Sequence, residues 1–470
     1  MLTKWRHFIQ KHEDKKWYKH FDLPCSLASP SINAYVCNPK FVAQHAYYPF
    51  IHKTLVQRKA KKGVRGKIVL VEKLREIFFC SHKDRCIYQR YSFLLSQKYE
   101  KYLKKHSLAH VAIAYRSTGK NNIYYSKLAF DNIERYDKCL VFVSDFTSFF
   151  DNIDHKILKD NIRKIWFEDN NTKESLPEDI YSIYKQITRY SYINFEDIEP
   201  ILTKNGIDKD ERFYLRNLKF DSFKEQVRKN KHPYGIPQGS PISAVLSNIY
   251  LSEFDRNLHN IISNQMNGMY MRYSDDILIV VPVKSIQEAQ FFQQRILPYF
   301  DIHKHIAHIN PQKTHSFYYS DHKFIDLNSN SRSHLDYLGF VFDGKSRYVR
   351  PKSIGKYLYK SRSKAISAGY QQSSRLLRKS NSGYKTAEKN IFPIRLYDGF
   401  STCSKRLRSL NKYPGRNQNN YLTYLRAVEK SQAICGDKTA ESILRHSKAR
   451  IAKFIKVGRL KAIQKFNEKC

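Results

Sequence analysis

The stretch MRYSDDILIV, residues 271–280, sets Asp275 and Asp276 side by side between apolar runs. Strands select against aspartate, whereas Met269, Met271, Ile277, Leu278, Ile279, Val280 and Val281 are what a buried sheet takes up. A β-hairpin with Ser274, Asp275 and Asp276 at its turn reconciles the two. Two bare carboxylates about 4 Å apart repel by roughly 4 kcal/mol at an effective dielectric near ~20, so a cation belongs between them. Taken alone, the same tetrapeptide is also an ordinary Asp-rich turn, and only the rest of the chain can separate the two readings.

Upstream, KCLVFVSDFTSFFDNIDHKIL (138–158) predicts a short buried strand from Leu140 to Ser144 that ends at Asp145. That is a second carboxylate at the end of a core strand. Between the two lies YGIPQGSPISAVLSNIYLSEFDRNL (234–258), where Gly235, Pro237 and Gly239 make a rigid, bent loop. Ser240 fits an N-cap and Pro241 the first helical position, and Ile242, Val245, Leu246, Ile249 and Leu258 mark a buried helical face. A helix opening beside Gln238 and two glycines presents free N–H groups suited to a phosphate or a base edge. Further on, INPQKTHSFYY places Lys313 in a turn, and HLDYLGFVFDG (334–344) reads as a strand pair closing the domain.

The composition is globular, with 470 residues, 41% hydrophobic and 14% aromatic, enough for two to four domains. Lys and Arg number 83 against 43 Asp and Glu, a net +40, which points to a polyanionic partner and first to nucleic acid. From Pro351 to Cys470 there are 28 basic against 6 acidic residues, so about a quarter of the chain carries over half of the excess. A membrane surface attracts the same charge. Yet no run approaches 18 apolar residues, and MLTKWRHFIQKHEDKKW lacks a signal-peptide core, so a cytoplasmic protein is expected. Eight cysteines without a C-x-x-C pair read as reduced thiols. Cys80, His82 and Cys86 lack a fourth zinc ligand of fitting spacing, and His303, His305 and His308 do not stack on one helical face.

Elsewhere, residues 5–21 read as one helix or two. HAYYPFIHKTLVQRKAKKG (45–63) is basic and laced with aromatics. The stretch from Arg65 begins as an alternating strand and turns helical near Asp84, where Ile87, Tyr91, Leu94, Leu95 and Tyr99 have helical spacing. VAIAYRSTGKNN (111–122) reads as a strand running into a Gly-containing basic turn.

The order SDFTSFFD, PQGSP, YSDD, NPQKT, YLGF resembles, motif by motif, the palm of reverse transcriptases over about residues 40–345. DNIDH and GIPQGSPIS resemble bacterial enzymes of group II introns, retrons and antiphage systems. HAYYPFI, AYRSTGKNNIYY and SDFTSFFDNIDH look most like the unknown-group, defence-associated (antiphage) reverse transcriptases. Retron N-A-x-x-H and V-T-G elements, a maturase domain and an HNH nuclease are not evident in the sequence.

The resemblance implies an α+β right-hand polymerase with fingers, a palm with an antiparallel sheet, a helical thumb and basic C-terminal helices. Residues 1–135 would be N-terminal extension and fingers, 136–345 palm with a polar fingers-side insertion near 165–230, and 346–470 helical thumb and basic C-terminal region. RLLRKSNSGYKTAEKN (375–390) and NKYPGRNQNN (411–420) would be exposed connections.

The implied activity is RNA-directed DNA polymerase, a two-metal nucleotidyl transfer from dNTPs on an associated non-coding RNA, in antiphage defence. Asp145 and Asp275 would bridge two Mg²⁺ ions, with Mn²⁺ as the alternative. Asp276 would be a weaker or outer-sphere ligand, and the carbonyl of Phe146 would complete one site. Phe150 matches the steric gate against a ribose 2′ hydroxyl, with Phe149 left to the core. Gln238 and Gly239 match the loop on the nascent pair; Arg116, Lys73 and Arg75 would reach the triphosphate, and Lys313 would protonate pyrophosphate. Expected partners are RNA template or non-coding RNA, DNA product and dNTPs, with no membrane and with a homo-oligomer left open. A template-independent transferase on the same fold and a catalytically inactive RNA-binding scaffold remain as alternatives. The scaffold gains nothing from a repulsive acidic cluster.

Overall fold

In the computed structural model, the described residues are 2–11, 18–62, 68–167, 174–207, 214–379, 396, 399–400, 420–431, 433–434 and 437–468. The chain groups into two compact units, both of mixed helix and sheet, and the α+β class is the one the sequence predicts. One comprises Met1–Arg116, Phe142–Val281 and Phe291–His315, the other Ser117–Val141, Pro282–Gln290 and Ser316–Cys470.

In the first unit a long hairpin pairs Phe50–Lys62 with Ile68–Phe79, in a register that sets Leu55 opposite Arg75 and Gln57 opposite Lys73. At its base Ser191–Asn194 adds in parallel beside Phe50–His52, and Arg228–Lys229 follows. The insertion near 165–230 is thus more than a polar excursion. Ile193, Ile198, Ile201 and Leu202 close a buried cluster with Phe21 and Ile51. The helix His82–Lys105 starts where expected because its N–H groups are met twice over: Ser81 Oγ accepts from Asp84, and the Asp22 carboxylate accepts from His82 and Lys83. His82 Nδ1 also faces Asp22, at 2.8 Å, and Cys86 Sγ lies 3.7 Å from Cys25 Sγ.

The strand Cys139–Asp145 lies beside the hairpin Met269–Tyr273 / Asp276–Pro282, which closes from Tyr273 to Asp276 through a turn of Ser274 and Asp275. Two local expectations are corrected. Residues 111–122 do not form a strand: a single bridge joins Ala112 to Arg272, and Tyr115 then turns left-handed (φ 59°), which ends the pairing. The helix after the PQG loop begins at Ser243 instead of Pro241, and the Ser240 hydroxyl, buried and without a hydrogen-bond partner, caps nothing. The entry is fixed by the Ser243 hydroxyl, which donates to the Pro237 carbonyl at 2.7 Å.

In the second unit the expected strand pair is a three-stranded antiparallel sheet, Leu335–Tyr337, Phe340–Phe342 and Arg347–Val349. Arg347 reaches from it to Asp131 and Glu134 of the helix Asn122–Arg135. Basic helices follow at Pro351–Lys379, Tyr421–Lys430 and Lys438–Asn467. The first and last cross backbone to backbone. A Cβ on Gly369 would sit 2.3 Å from the Ile455 carbonyl oxygen, and one on Gly458 would sit 2.1 Å from that of Ile366. Of the two expected connections, 380–390 and 411–419 lie outside the described residues. Among the described residues no helix is long and apolar enough to cross a membrane.

Candidate active site

The site is built where the strand ending at Asp145 meets the turn carrying Asp275, both within the first unit. The Phe146 N–H donates to the Asp275 carbonyl at 3.2 Å, which locks the two acidic strand ends together. From the other side the Asn310 N–H donates to the Asp145 carbonyl at 2.7 Å, and the Thr147 N–H to the His308 carbonyl at 2.8 Å. Asn310 also caps the short 3₁₀ turn Pro311–Lys313, and beyond it Thr314 Oγ1 pairs with Ser144 Oγ at 2.8 Å. The NPQKT turn is therefore fastened to the Asp145 strand at both of its ends. That is why Lys313 comes to rest with its ammonium on Asp145 Oδ2.

Asp145 is 7% exposed, and its other oxygen, Oδ1, is buried with no hydrogen-bond partner. Buried acceptors are nearly always satisfied, and more so when ionised, so an orphaned carboxylate oxygen suits a hard divalent cation. The acidic residues do not form a closed cage. Among the described residues no three His, Cys, Asp or Glu side chains group so as to hold a metal. Asp275 is half-buried at the turn while Asp276 opens the next strand and is exposed. A cation here would draw on Asp145, Asp275 and backbone or substrate oxygens, with Asp276 outside that set.

The segment 150–155 and the PQG loop are one fastening. Ile236 N–H donates to the Phe150 carbonyl at 3.0 Å, Gly235 N–H to that of Ile153 at 2.9 Å, and His155 Nε2 lies 2.8 Å from the Gly235 carbonyl. Gln238 Nε2 reaches Asp151 Oδ1 at 3.3 Å, and its carbonyl accepts from Phe78 N–H at 2.8 Å. Gly239 is required there: its φ is +116°, and a Cβ would lie 2.7 Å from the Phe78 carbonyl oxygen. Phe149 is buried and Phe150 only partly so.

Lys73 and Arg75 share one exposed face of the long hairpin. The charge of Lys73 is felt by Lys313, whose pKa lies below the ordinary lysine range because of partial burial first and Lys73 second. Arg116, expected at the triphosphate, is instead committed inward. Its Nε and Nη2 pair with the Glu100 carboxylate at 2.7 Å each, and Nη1 donates to the carbonyls of Ala109 and Ala112. With its side chain 5% exposed it braces the 109–116 segment. What the motif reading missed is next to Arg116: the Tyr115 hydroxyl lies 3.3 Å from Ser274 Oγ in the acidic turn.

A profile of the reverse transcriptase (RNA-dependent DNA polymerase) family matches residues 60–342, and the chain belongs to that family. No curated protein matches it by sequence. Among solved structures it is similar to a Candida albicans telomerase in complex with a TWJ fragment of telomeric RNA, at 12% identity and TM-score 0.41, covering 96% of this chain and 72% of that one. It is also similar to the apo telomerase of Candida tropicalis (12% identity, TM-score 0.39) and to a form of it truncated from its C-terminal domain (13%, 0.38). The chain spans 56% of the length of each of these two, which cover 73% and 63% of it.

Proposed function

We propose that the chain is an RNA-directed DNA polymerase that joins dNTPs to a 3′ hydroxyl, copying an associated non-coding RNA in bacterial antiphage defence. The observation that carries the reading is the locked pair of strand ends, Asp145 and Asp275, with one buried Asp145 oxygen left without a partner. Asp145, Asp275 and the Phe146 carbonyl would hold two divalent cations, Mg²⁺ before Mn²⁺, with Asp276 at the margin. Such ions activate the attacking oxygen and neutralise the leaving pyrophosphate. Around them, Lys73 and Arg75 grip the triphosphate from the hairpin face, Phe150 excludes a 2′ hydroxyl, and Gln238 and Gly239 present a flat backbone edge to the new pair. Lys313 leaves Asp145 for the pyrophosphate and gives up a proton. The basic helices of the second unit hold the duplex, and the protein works in the cytoplasm, alone or as a homo-oligomer.

The rival reading, an RNA-binding scaffold, draws on one contact, the Lys313 ammonium resting on Asp145. Primer extension on an RNA template with Mg²⁺ and dNTPs separates them. The wild type synthesises DNA and Asp275→Ala does not, while RNA binding by both falls roughly 10³ to 10⁵-fold between 50 and 200 mM salt if about 6 to 10 phosphates are neutralised. Equal incorporation by the two proteins, or none by the wild type, refutes the polymerase. Synthesis that continues with the template omitted identifies a terminal transferase instead.

A further inference from the structure

Beneath the turn that carries Asp275 lies a buried charge that the chemistry above does not use. Arg272 and Asp255 are each 0% exposed. Arg272 Nε donates to Asp255 Oδ1 at 2.9 Å and Nη2 to Oδ2 at 2.6 Å, while the Tyr270 hydroxyl donates to Oδ1 at 2.8 Å. The remaining arm, Nη1, donates to the Ser274 carbonyl at 2.8 Å and to Asn248 Oδ1 at 3.2 Å. The backbone of Arg272 is held as well. Its N–H donates to the Val111 carbonyl at 2.8 Å, and its carbonyl accepts from Ile113 N–H at 2.9 Å. Asn248 in turn donates to the Ala114 carbonyl at 2.9 Å.

Stability alone is a poor reason for such a pair. Desolvation costs several kcal/mol per ion, and well-packed apolar residues of similar volume often serve the fold as well or better. Within this network Asp255, itself fixed by the Tyr270 hydroxyl, and Asn248 hold the guanidinium, and the Ser274 carbonyl is what the guanidinium holds. Ser274 immediately precedes Asp275 and sits in the left-handed region at φ 62°, a conformation that persists in a non-glycine residue only when its surroundings dictate it. A planar guanidinium clamped on a carboxylate edge can dictate it, because its remaining N–H directions are then fixed.

We infer that Arg272 is a positioning residue for the reaction: it fixes the Ser274 carbonyl and thereby aims the Asp275 carboxylate, with Asp255 holding the guanidinium in register. The inference rests on the polymerase reading. Its test therefore includes a measurement that needs no catalysis.

Two variants of the full chain are compared with the wild type. Asp255→Leu combined with Arg272→Met removes both charges and keeps apolar bulk. Arg272→Lys keeps the charge, but a single ammonium cannot span the carboxylate edge and the Ser274 carbonyl together. Both are expected to melt cooperatively. In hydrogen exchange without substrate, the peptide covering residues 271–280 should exchange faster while the helix His82–Lys105 is unchanged. In primer extension kcat should fall by about 10²-fold, the effect of misplacing a reacting group by about 1 Å, with the dNTP KM nearly unchanged. A folded double variant with wild-type exchange and wild-type kcat overturns the inference. So does loss of the fold in both variants, which would make the pair purely structural. An inactive wild type would sink the polymerase reading, and the exchange measurement would still decide whether Arg272 holds the turn.

Discussion

Replacing Asp145 by Asn should make the protein more stable and inert at once. Asp145 is 7% exposed, its Oδ1 has no hydrogen-bond partner, and Oδ2 leans on Lys313, whose side chain is 55% exposed. Leaving a buried acceptor unsatisfied costs about 1–3 kcal/mol, and more when it is charged. An ion pair with so exposed a partner returns no more than about 1 kcal/mol. Asn keeps the volume and removes the charge, so the net gain is about 1–2 kcal/mol. For a chain of 470 residues each kcal/mol moves the melting point by roughly 1 °C, giving a rise of about 1–2 °C. Thermal melting in EDTA measures it, beside primer extension on the same preparations. Adding Mg²⁺, primed template and dNTP should then raise the wild-type Tm and leave the variant's where it was, since only a state that binds ligand is stabilised by it. A variant that melts at or below the wild type in EDTA would show that Asp145 is already satisfied without a cation, and the argument from the orphaned oxygen would fail.

The remaining expectations concern the sugar, acid and the loop. Phe150→Val should raise ribonucleotide use relative to dNTPs in matched-pool extension, whereas Phe149→Val, at a buried ring, should mainly lower the Tm; a preference shift in Phe149→Val alone reverses the assignment. Burial, outweighing the favourable charge of Asp22, pushes the His20 pKa down to about 4. The unfolded chain takes up that proton near pH ~6.5, so the contribution of neutral His20 is intact above that value and drains away toward pH 4, at up to about 1.4 kcal/mol per unit. Melting curves between pH 7 and 4 should flatten in His20→Phe; an unchanged slope removes His20 from the acid response. Gly239→Ala should cost stability and activity together, because the new methyl meets the Phe78 carbonyl at 2.7 Å in a backbone conformation that alanine resists; wild-type melting and synthesis would show that the loop moves freely from Phe78.

Much of this was legible because local rules and the fold agree. Continuous apolar runs marked the hairpin at 271–280 and the strand ending at Asp145, and Asn310 with Pro311 marked the turn that delivers Lys313. What escaped was set by distant partners. Ser240 looked like an N-cap by composition, yet the helix entry is decided by Ser243 reaching the Pro237 carbonyl. Arg116 looked available because its partner Glu100 sits near the end of the preceding helix, outside every motif. The insertion looked polar because its buried isoleucines are spread over a strand and a helix that meet only in the folded sheet. Arg272 did leave a signal, as an arginine in the middle of an apolar strand, but its partner Asp255 hides in a helix that reads as ordinary surface.

The glycine crossing of the two long helices has a mechanical consequence. Where helices touch through side chains, rotamers can exchange and one rod can creep along the other. At Gly369 and Gly458 the contact is carbonyl against Cα, and a shift of either rod by one residue would drive a side chain into a carbonyl that now faces only hydrogen. The two helices also meet beyond the glycines, where Ala365 packs with Ile451 and Ile455 and Arg362 lies over the Phe454 ring, so sliding and swivelling are both opposed. The lysines and arginines along Pro351–Lys379 and Lys438–Asn467 are therefore carried at a fixed spacing on one locked pair of helices.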